Sequence, residues 1–221
     1  MRTPRRRGPP SGSPAAREAV AARGRFVFAV SGGHSPWVML RVCAGEPLPW
    51  EKVHVFQVDE RVAPAGDPDR NLTHLKESLL SRAPLPEANV HAMPVEAADL
   101  DAAARAYAKE LERLVGSPPA FDLVHLGLGP DGHTASLVPG DPVLSVTDRD
   151  VAVTGPYMGH RRMTLTYPVL DRARSVLWLV TGEEKAPVLQ RLMRGDPSIP
   201  AGRVSSARAD VVADRAASPA G

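Results

Sequence analysis

The chain has 221 residues, 27 Lys and Arg against 25 Asp and Glu, and 43% hydrophobic residues, enough for one substantial core and so for a single domain. Arg2, Arg5, Arg6 and Arg7 supply four of the positive charges, so the net +2 becomes −2 over the rest, which leaves no global basic field for nucleic acid. Cys43 is the only cysteine, which excludes an intrachain disulfide and a cysteine-rich zinc site, and no apolar run nears the roughly 20 residues of a membrane helix.

Residues 1–14 are rich in Pro, Arg and Gly and contain no acid, so they are predicted to be a disordered tail ahead of a domain over 15–221. Pro4 and Gly8-Pro9-Pro10 break any amphipathic transit helix, and no signal peptide is evident. The first strand is predicted at Arg25–Ser31, running into Ser31-Gly32-Gly33. Ser35-Pro36 then reads as the N-cap and first residue of a helix over Pro36–Cys43, in which Cys43 is expected to be a buried structural thiol. Two glycines ahead of a helix N-terminus suit close approach by an anion, so this turn reads as a phosphate cradle. It is neither a Walker loop nor a nucleophile elbow, because no Gly-Lys-Ser/Thr follows and the closing glycine of the elbow is missing.

A second strand, Val53–Asp59, ends in Asp59-Glu60-Arg61, and strand carboxyl ends are where open α/β sheets place their ligands. Helices follow at Asn71–Ser81 and Asp99–Val115, the latter carrying Leu100, Ala103, Ala104, Tyr107, Leu111 and Leu114 along one stripe. The strand Phe121–Gly127 enters a turn with Gly127, Gly129, Pro130 and Gly132, which presents Asp131 beside His133. A histidine there, with an ordinary pKa of about 6.5, can take a proton from water near neutral pH.

Gly127-x-Gly129-x-x-Gly132 also matches the dinucleotide fingerprint, but its context is wrong. Pro130 lacks an N–H, Asp131 repels phosphate, and Pro139-Gly140-Asp141-Pro142 cuts the expected following helix to within about two turns. Strands are predicted at Val151–Thr154, Arg162–Thr166, Ser175–Thr181 and Ala209–Ala213, with helices at Tyr167–Arg172 and Glu183–Arg194. Alternation of this kind means an α/β fold, a mostly parallel sheet with helices on both faces. Pro64–Asn71 and Gly140–Asp150 are expected to be mobile loops flanking the site. None of the seven histidines has a convincing helical i, i+4 spacing with a carboxylate partner, so no metal site is predicted.

Taken together, Ser31-Gly32-Gly33, Asp59-Glu60-Arg61 with Asn71, Gly127-x-Gly129-x-Asp131-Gly132-His133-Thr134-Ala135-Ser136-Leu137-x-Pro139, Arg162-x-Thr164-Leu165-Thr166 and Gly182-x-x-Lys185 resemble the 6-phosphogluconolactonase family over about Gly24 to Ala217. The resemblance implies a three-layer, Rossmann-like domain shared with glucosamine-6-phosphate deaminase. It implies hydrolysis of 6-phospho-D-glucono-1,5-lactone to 6-phosphogluconate, the second step of the oxidative pentose phosphate pathway, without metal or organic cofactor. By that likeness His133 is the general base and Asp131 helps hold the site. Ser31, Gly32, Gly33, Arg61, Arg162 and Lys185 bind the phosphate and neighbouring oxygens, and Asp59, Glu60 and Asn71 belong to the same binding set. His34 stands where the family usually has Ser or Thr.

Family members typically begin with a strand and a long helix, of which only Ala15–Arg23 has a counterpart here, so the expectation is either that apolar surface is exposed beside the first strand or that the true start lies upstream. Two other classes fit parts of the pattern. Amino-sugar-phosphate isomerases and deaminases usually carry Asp-Glu-Tyr in place of Asp59-Glu60-Arg61 and Ala-Phe-Asn-Glu in place of Ala135-Ser136-Leu137-Val138, and a non-catalytic sugar-phosphate regulator would tolerate loss of His133 or Asp131, both of which are present. The expected protein is cytoplasmic, a monomer or weak homo-oligomer, acting on a small molecule with no nucleic-acid or membrane partner.

Overall fold

Helix α1 (Pro14–Arg23) opens with a proline, whose missing N–H costs nothing at a helix start, and closes where Gly24 turns back at φ 74° to donate to the Val20 carbonyl. The computed structural model describes residues 14–205 and 207–218. Most of the tail expected to be irregular therefore lies outside the described residues, and Pro14, assigned to that tail, is helical instead. Ala16 and Ala19 face inward, and Arg23 pairs at 2.7 Å with Asp122, whose other oxygen accepts the Val27 amide at 2.8 Å. Helix α1 is thereby pinned to the first strand.

The main sheet contains β1 (Phe26–Val30), β2 (Val53–Gln57), β4 (Val90–His91), β5 (Leu123–Leu126), β8 (Val176–Val180) and β9 (Ala209–Ala213), all parallel in the order β4-β2-β1-β5-β8-β9. Continuous apolar runs suit strands covered on both faces. On β1, Phe26 and Val30 pack toward α1, α2 (His34–Ala44) and α3 (Asn71–Leu75), while Val27 and Ala29 face α4 (Leu100–Val115), α5 (Tyr167–Asp171) and α6 (Ala186–Met193). In α4 the predicted stripe is observed, with Asp99 accepting from the Ala102 amide as N-cap and Ala103, Ala104, Tyr107 and Leu111 buried.

Several local expectations are corrected. The strand read as Val53–Asp59 breaks at Val58, whose amide donates to Val30 while its carbonyl accepts from Leu165. From there β3 (Asp59–Arg61) joins β7 (Arg162–Leu165) and β6 (Val151–Val153) in a separate antiparallel sheet. Both sheets share one core, in which Met163 and Leu165 pack with Phe56, Val124 and Trp178. The Asn71–Ser81 helix changes from α to π winding over Lys76–Leu80, and no helix follows the Asp131–His133 turn, after which Thr134 and Leu137 form an isolated antiparallel bridge. Helix α2 begins at His34 with Gly33 as N-cap; Ser35 instead contacts the Thr181 hydroxyl. The Gly140–Asp150 loop carries a 3-10 turn, Pro142–Ser145, anchored by buried Val143.

The expected exposed apolar surface is present. Val38 and Val42 on α2 are 43% and 65% exposed, above a groove of about 450 Å³ floored by side chains of β5, β8 and β9. Cys43 lines that groove half-buried, contrary to the expected buried thiol, and burial together with the Glu46 charge pushes its pKa up. No described helix is long and apolar enough to cross a membrane.

One core residue carries a stability consequence. His125, on β5 between Val30 and Leu177, is fully buried, and neither ring nitrogen has a hydrogen-bond partner among the described residues. Burial pushes its pKa down to about 4. An unfolded histidine titrates near 6.5, so between those values the unfolded chain binds more protons and stability falls as the pH drops. His125→Leu is expected to raise stability at pH 7 by about 1–3 kcal/mol by removing unsatisfied buried nitrogens. It should also spare about 2 kcal/mol of the loss between pH 7 and 5. Urea unfolding of both proteins at the two pH values measures each effect.

Candidate active site

The carboxyl ends of β1, β5 and β8 open into a cavity of about 520 Å³ that also receives residues of β3 and β7. Its first wall is Ser31-Gly32-Gly33 and the start of α2. The Gly32 and Gly33 amides donate to no acceptor among the described residues, and Gly33 sits at φ 119°, open to glycine but strained for other residues. Gly32 is required for space as well, since a Cβ there would lie 1.9 Å from Asn71 Oδ1. The Ser31 hydroxyl donates to the His125 carbonyl at 3.0 Å and locks the turn to β5.

A second wall is cationic. Arg61 and Arg162 stand opposite each other at the ends of β3 and β7, and Lys185 comes from the 3-10 turn after Gly182. The Nε atoms of Arg61 and Arg162 are buried without hydrogen-bond partners among the described residues, as is Asn71 Oδ1. Burial lowers the pKa of Arg162; Asp59 opposes that shift and Arg61 adds to it. Two guanidinium groups that share a cleft and keep unpartnered Nε atoms are chemically able to take an incoming anion.

The third wall is the β5 turn. His133 Nδ1 lies 2.6 Å from Asp131 Oδ1, which also accepts the His133 amide at 3.1 Å. With Nδ1–H given to the carboxylate, Nε2 carries the lone pair that can accept a proton. Burial acts to raise the Asp131 pKa, but hydrogen bonds and charge from His133 and the hydroxyl of Tyr157 outweigh it and hold the carboxyl below its ordinary value. The turn is held from behind, because Gly132 at φ 85° packs on Ile199 and accepts the Ala201 amide at 2.9 Å. It is held from the side where the Ser136 hydroxyl donates to Asp59 Oδ2 at 2.6 Å and the Ser136 amide donates to Thr164 at 3.1 Å.

Ser31, Gly32, Gly33, Asp59, Arg61, Asn71, His133, Arg162 and Lys185 all line this one cavity, and Asp131 supports it through His133. Glu60 does not line it. Its carboxylate is fully buried and accepts from the Gln57 side chain and the amides of Arg61, Asn71 and Leu72, at 2.8 to 2.9 Å, so it fixes the loop that carries Arg61 and Asn71. Sequence reasoning overlooked Ser136 and Thr164 as supports and Tyr157 as a neighbour of the Asp131–His133 pair. The signal for Tyr157 was Gly159 in a short segment between two predicted strands, which marks a hairpin tip. Among the described residues no group of three or more His, Cys, Asp and Glu is placed to hold a metal ion.

The family model for glucosamine-6-phosphate isomerases/6-phosphogluconolactonase matches residues 13–213. A 6-phosphogluconolactonase of Synechocystis is 45% identical over 176 residues, 78% of this chain and 73% of that protein. One from Mycobacterium tuberculosis is 41% identical over 196 residues, 83% of this chain and 79% of its own length. The crystal structure of 6-phosphogluconolactonase from Thermotoga maritima superposes with a TM-score of 0.81 at 29% identity, covering 90% of this chain and 89% of that one. With its parallel sheet, Asp-Gly-His turn and cationic cleft, the chain belongs to the 6-phosphogluconolactonase family.

Proposed function

We propose that the chain hydrolyses 6-phospho-D-glucono-1,5-lactone to 6-phosphogluconate in the oxidative pentose phosphate pathway, with His133 as general base. The carrying observation is the pairing of His133 and Asp131, at 2.6 Å, on the rim of a cavity whose other walls offer free amides and buried guanidinium groups. A dianionic phosphate binds by charge-assisted hydrogen bonds to Arg61, Arg162 and Lys185 and to the Gly32 and Gly33 amides. This seats the lactone carbonyl near His133.

His133 Nε2 takes a proton from water as the water oxygen bonds to the carbonyl carbon, and the carbonyl π electrons move to its oxygen. On collapse of this tetrahedral intermediate the ring C–O bond breaks, and the imidazolium returns its proton to the departing oxygen. A δ-lactone is reactive enough for positioned water to suffice without a covalent nucleophile. The Gly129 and Gly132 amides already donate to the His133 and Gly129 carbonyls, so these two amides of the β5 turn are not free to stabilise the oxyanion.

Lys185→Ala is expected to raise KM by roughly 10- to 100-fold, the worth of one charged hydrogen bond, and to leave kcat within a few-fold. Kinetics on the phosphorylated lactone and on unphosphorylated 1,5-gluconolactone separate the two effects, since only the former should respond. The same reading makes this a cytoplasmic enzyme, monomeric or weakly self-associating, with a small-molecule substrate; its lone thiol suits a reducing compartment.

A further inference from the structure

Strands β6 and β7 are joined by a hairpin whose tip, Tyr157 to His160, closes with hydrogen bonds in both directions between those two residues. Met158 and Gly159 both have positive φ, 49° and 84°, the backbone of a two-residue turn that follows the twist of the strands. Positive φ is uncommon for methionine, and its side chain is 78% exposed, so the conformation serves the residues on either side of it.

On one side, His160 Nε2 lies 3.1 Å from Asp69 Oδ2, in the loop whose Asp69 carbonyl accepts from Arg61. On the other side, the Tyr157 hydroxyl donates to Asp131 Oδ2 at 3.3 Å, and its ring meets the His133 ring edge to face at 5.6 Å. The Arg162 guanidinium sits 5.1 Å from the Tyr157 ring centroid, and its Nη2 donates to the Tyr157 carbonyl at 3.4 Å. Asp131 Oδ1 is taken by His133, so Tyr157 is the only hydrogen-bond partner of Oδ2 among the described residues. Without it the carboxylate would be free to rotate about its terminal bond and weaken its grip on Nδ1.

We infer that Tyr157 is a positioning residue for the hydrolysis: from the hairpin tip it fixes the Asp131 carboxylate, hence the His133 ring, and ties both to Arg162 of the anion-binding wall. The inference rests on the lactonase reading for its kinetic consequence but not for its structural one. The charged or titratable groups facing the Tyr157 hydroxyl and ring are Asp131, His133 and Arg162, with His160 and Asp69 at the base of the tip.

Tyr157→Phe keeps the ring and removes the hydroxyl. It is expected to lower kcat about three- to tenfold, the range for one lost hydrogen bond, with KM unchanged. Tyr157→Ala also removes the surface under Arg162 and should raise KM. In the substrate-free protein, carbon-13 NMR of the Asp131 carboxyl should show its titration moved upward in Tyr157→Phe at an unchanged thermal midpoint. An unmoved Asp131 titration would overturn the positioning role whatever the activity, as would wild-type kcat in the Phe variant of an active enzyme. A wild-type protein that fails to accelerate lactone hydrolysis while the titration moves would instead overturn the lactonase reading alone.

Discussion

His133→Ala is expected to cut kcat for lactone hydrolysis by roughly 10²–10⁴-fold, the usual worth of a positioned general base. Substrate affinity and thermal midpoint should stay close to wild type. The reason is geometric: the His133 side chain is about a quarter exposed at the cavity rim, while the turn is fixed by its backbone and by Ser136, Gly132 and Ile199. Truncation therefore removes the proposed base and leaves the proposed phosphate-binding walls standing. Steady-state kinetics with a binding measurement for 6-phosphogluconate checks both halves; a variant with near wild-type kcat would remove His133 from the mechanism.

Gly129→Ala is expected to cost roughly 10²-fold or more in kcat although it touches no reacting atom, since a misplaced base loses most of its worth. The Gly129 backbone lies outside the positive φ region, so alanine is tolerated conformationally. Its Cβ, however, would stand 2.1 Å from His133 Nδ1 and 2.3 Å from Cε1, so the ring must swing away and break the 2.6 Å contact with Asp131. Because the ring can yield, the fold should survive. Gly132→Ala differs, since it combines φ 85° with a clash at 2.6 Å against Ile199 and should destabilise the protein itself. The effect of Gly129→Ala acts through His133, so the double variant with His133→Ala should be no slower than His133→Ala alone. Additive losses would place the role of Gly129 elsewhere.

The main sheet was legible because each of its longer strands is an apolar run ending in a glycine or a charged residue, and the α4 stripe was legible for its period. What escaped was decided by tertiary hydrogen bonds. Nothing local marks Val58 as the point where the chain leaves one sheet for another, since it is one more apolar residue in a run and only the position of Leu165 diverts its carbonyl. The two-residue β4 is too short to show alternation. Glu60 sits inside a polar motif at a strand end, where acids commonly face ligands, yet its oxygens are taken up by surrounding N–H donors. Tyr157 is distant in sequence from Asp131, and only closure of the hairpin by Met158 and Gly159 brings them together. The positive φ of Gly33 and Gly132 is the part of the glycine turns that residue type makes legible.

Lactone hydrolysis is measured by generating 6-phosphoglucono-1,5-lactone in situ from glucose 6-phosphate and following its disappearance against the spontaneous background, with the wild-type protein and with His133→Ala. Hydrolysis well above background by the wild type, returning to near background in the variant, is the expected result. Equal rates with and without the wild-type protein would rule out lactonase activity.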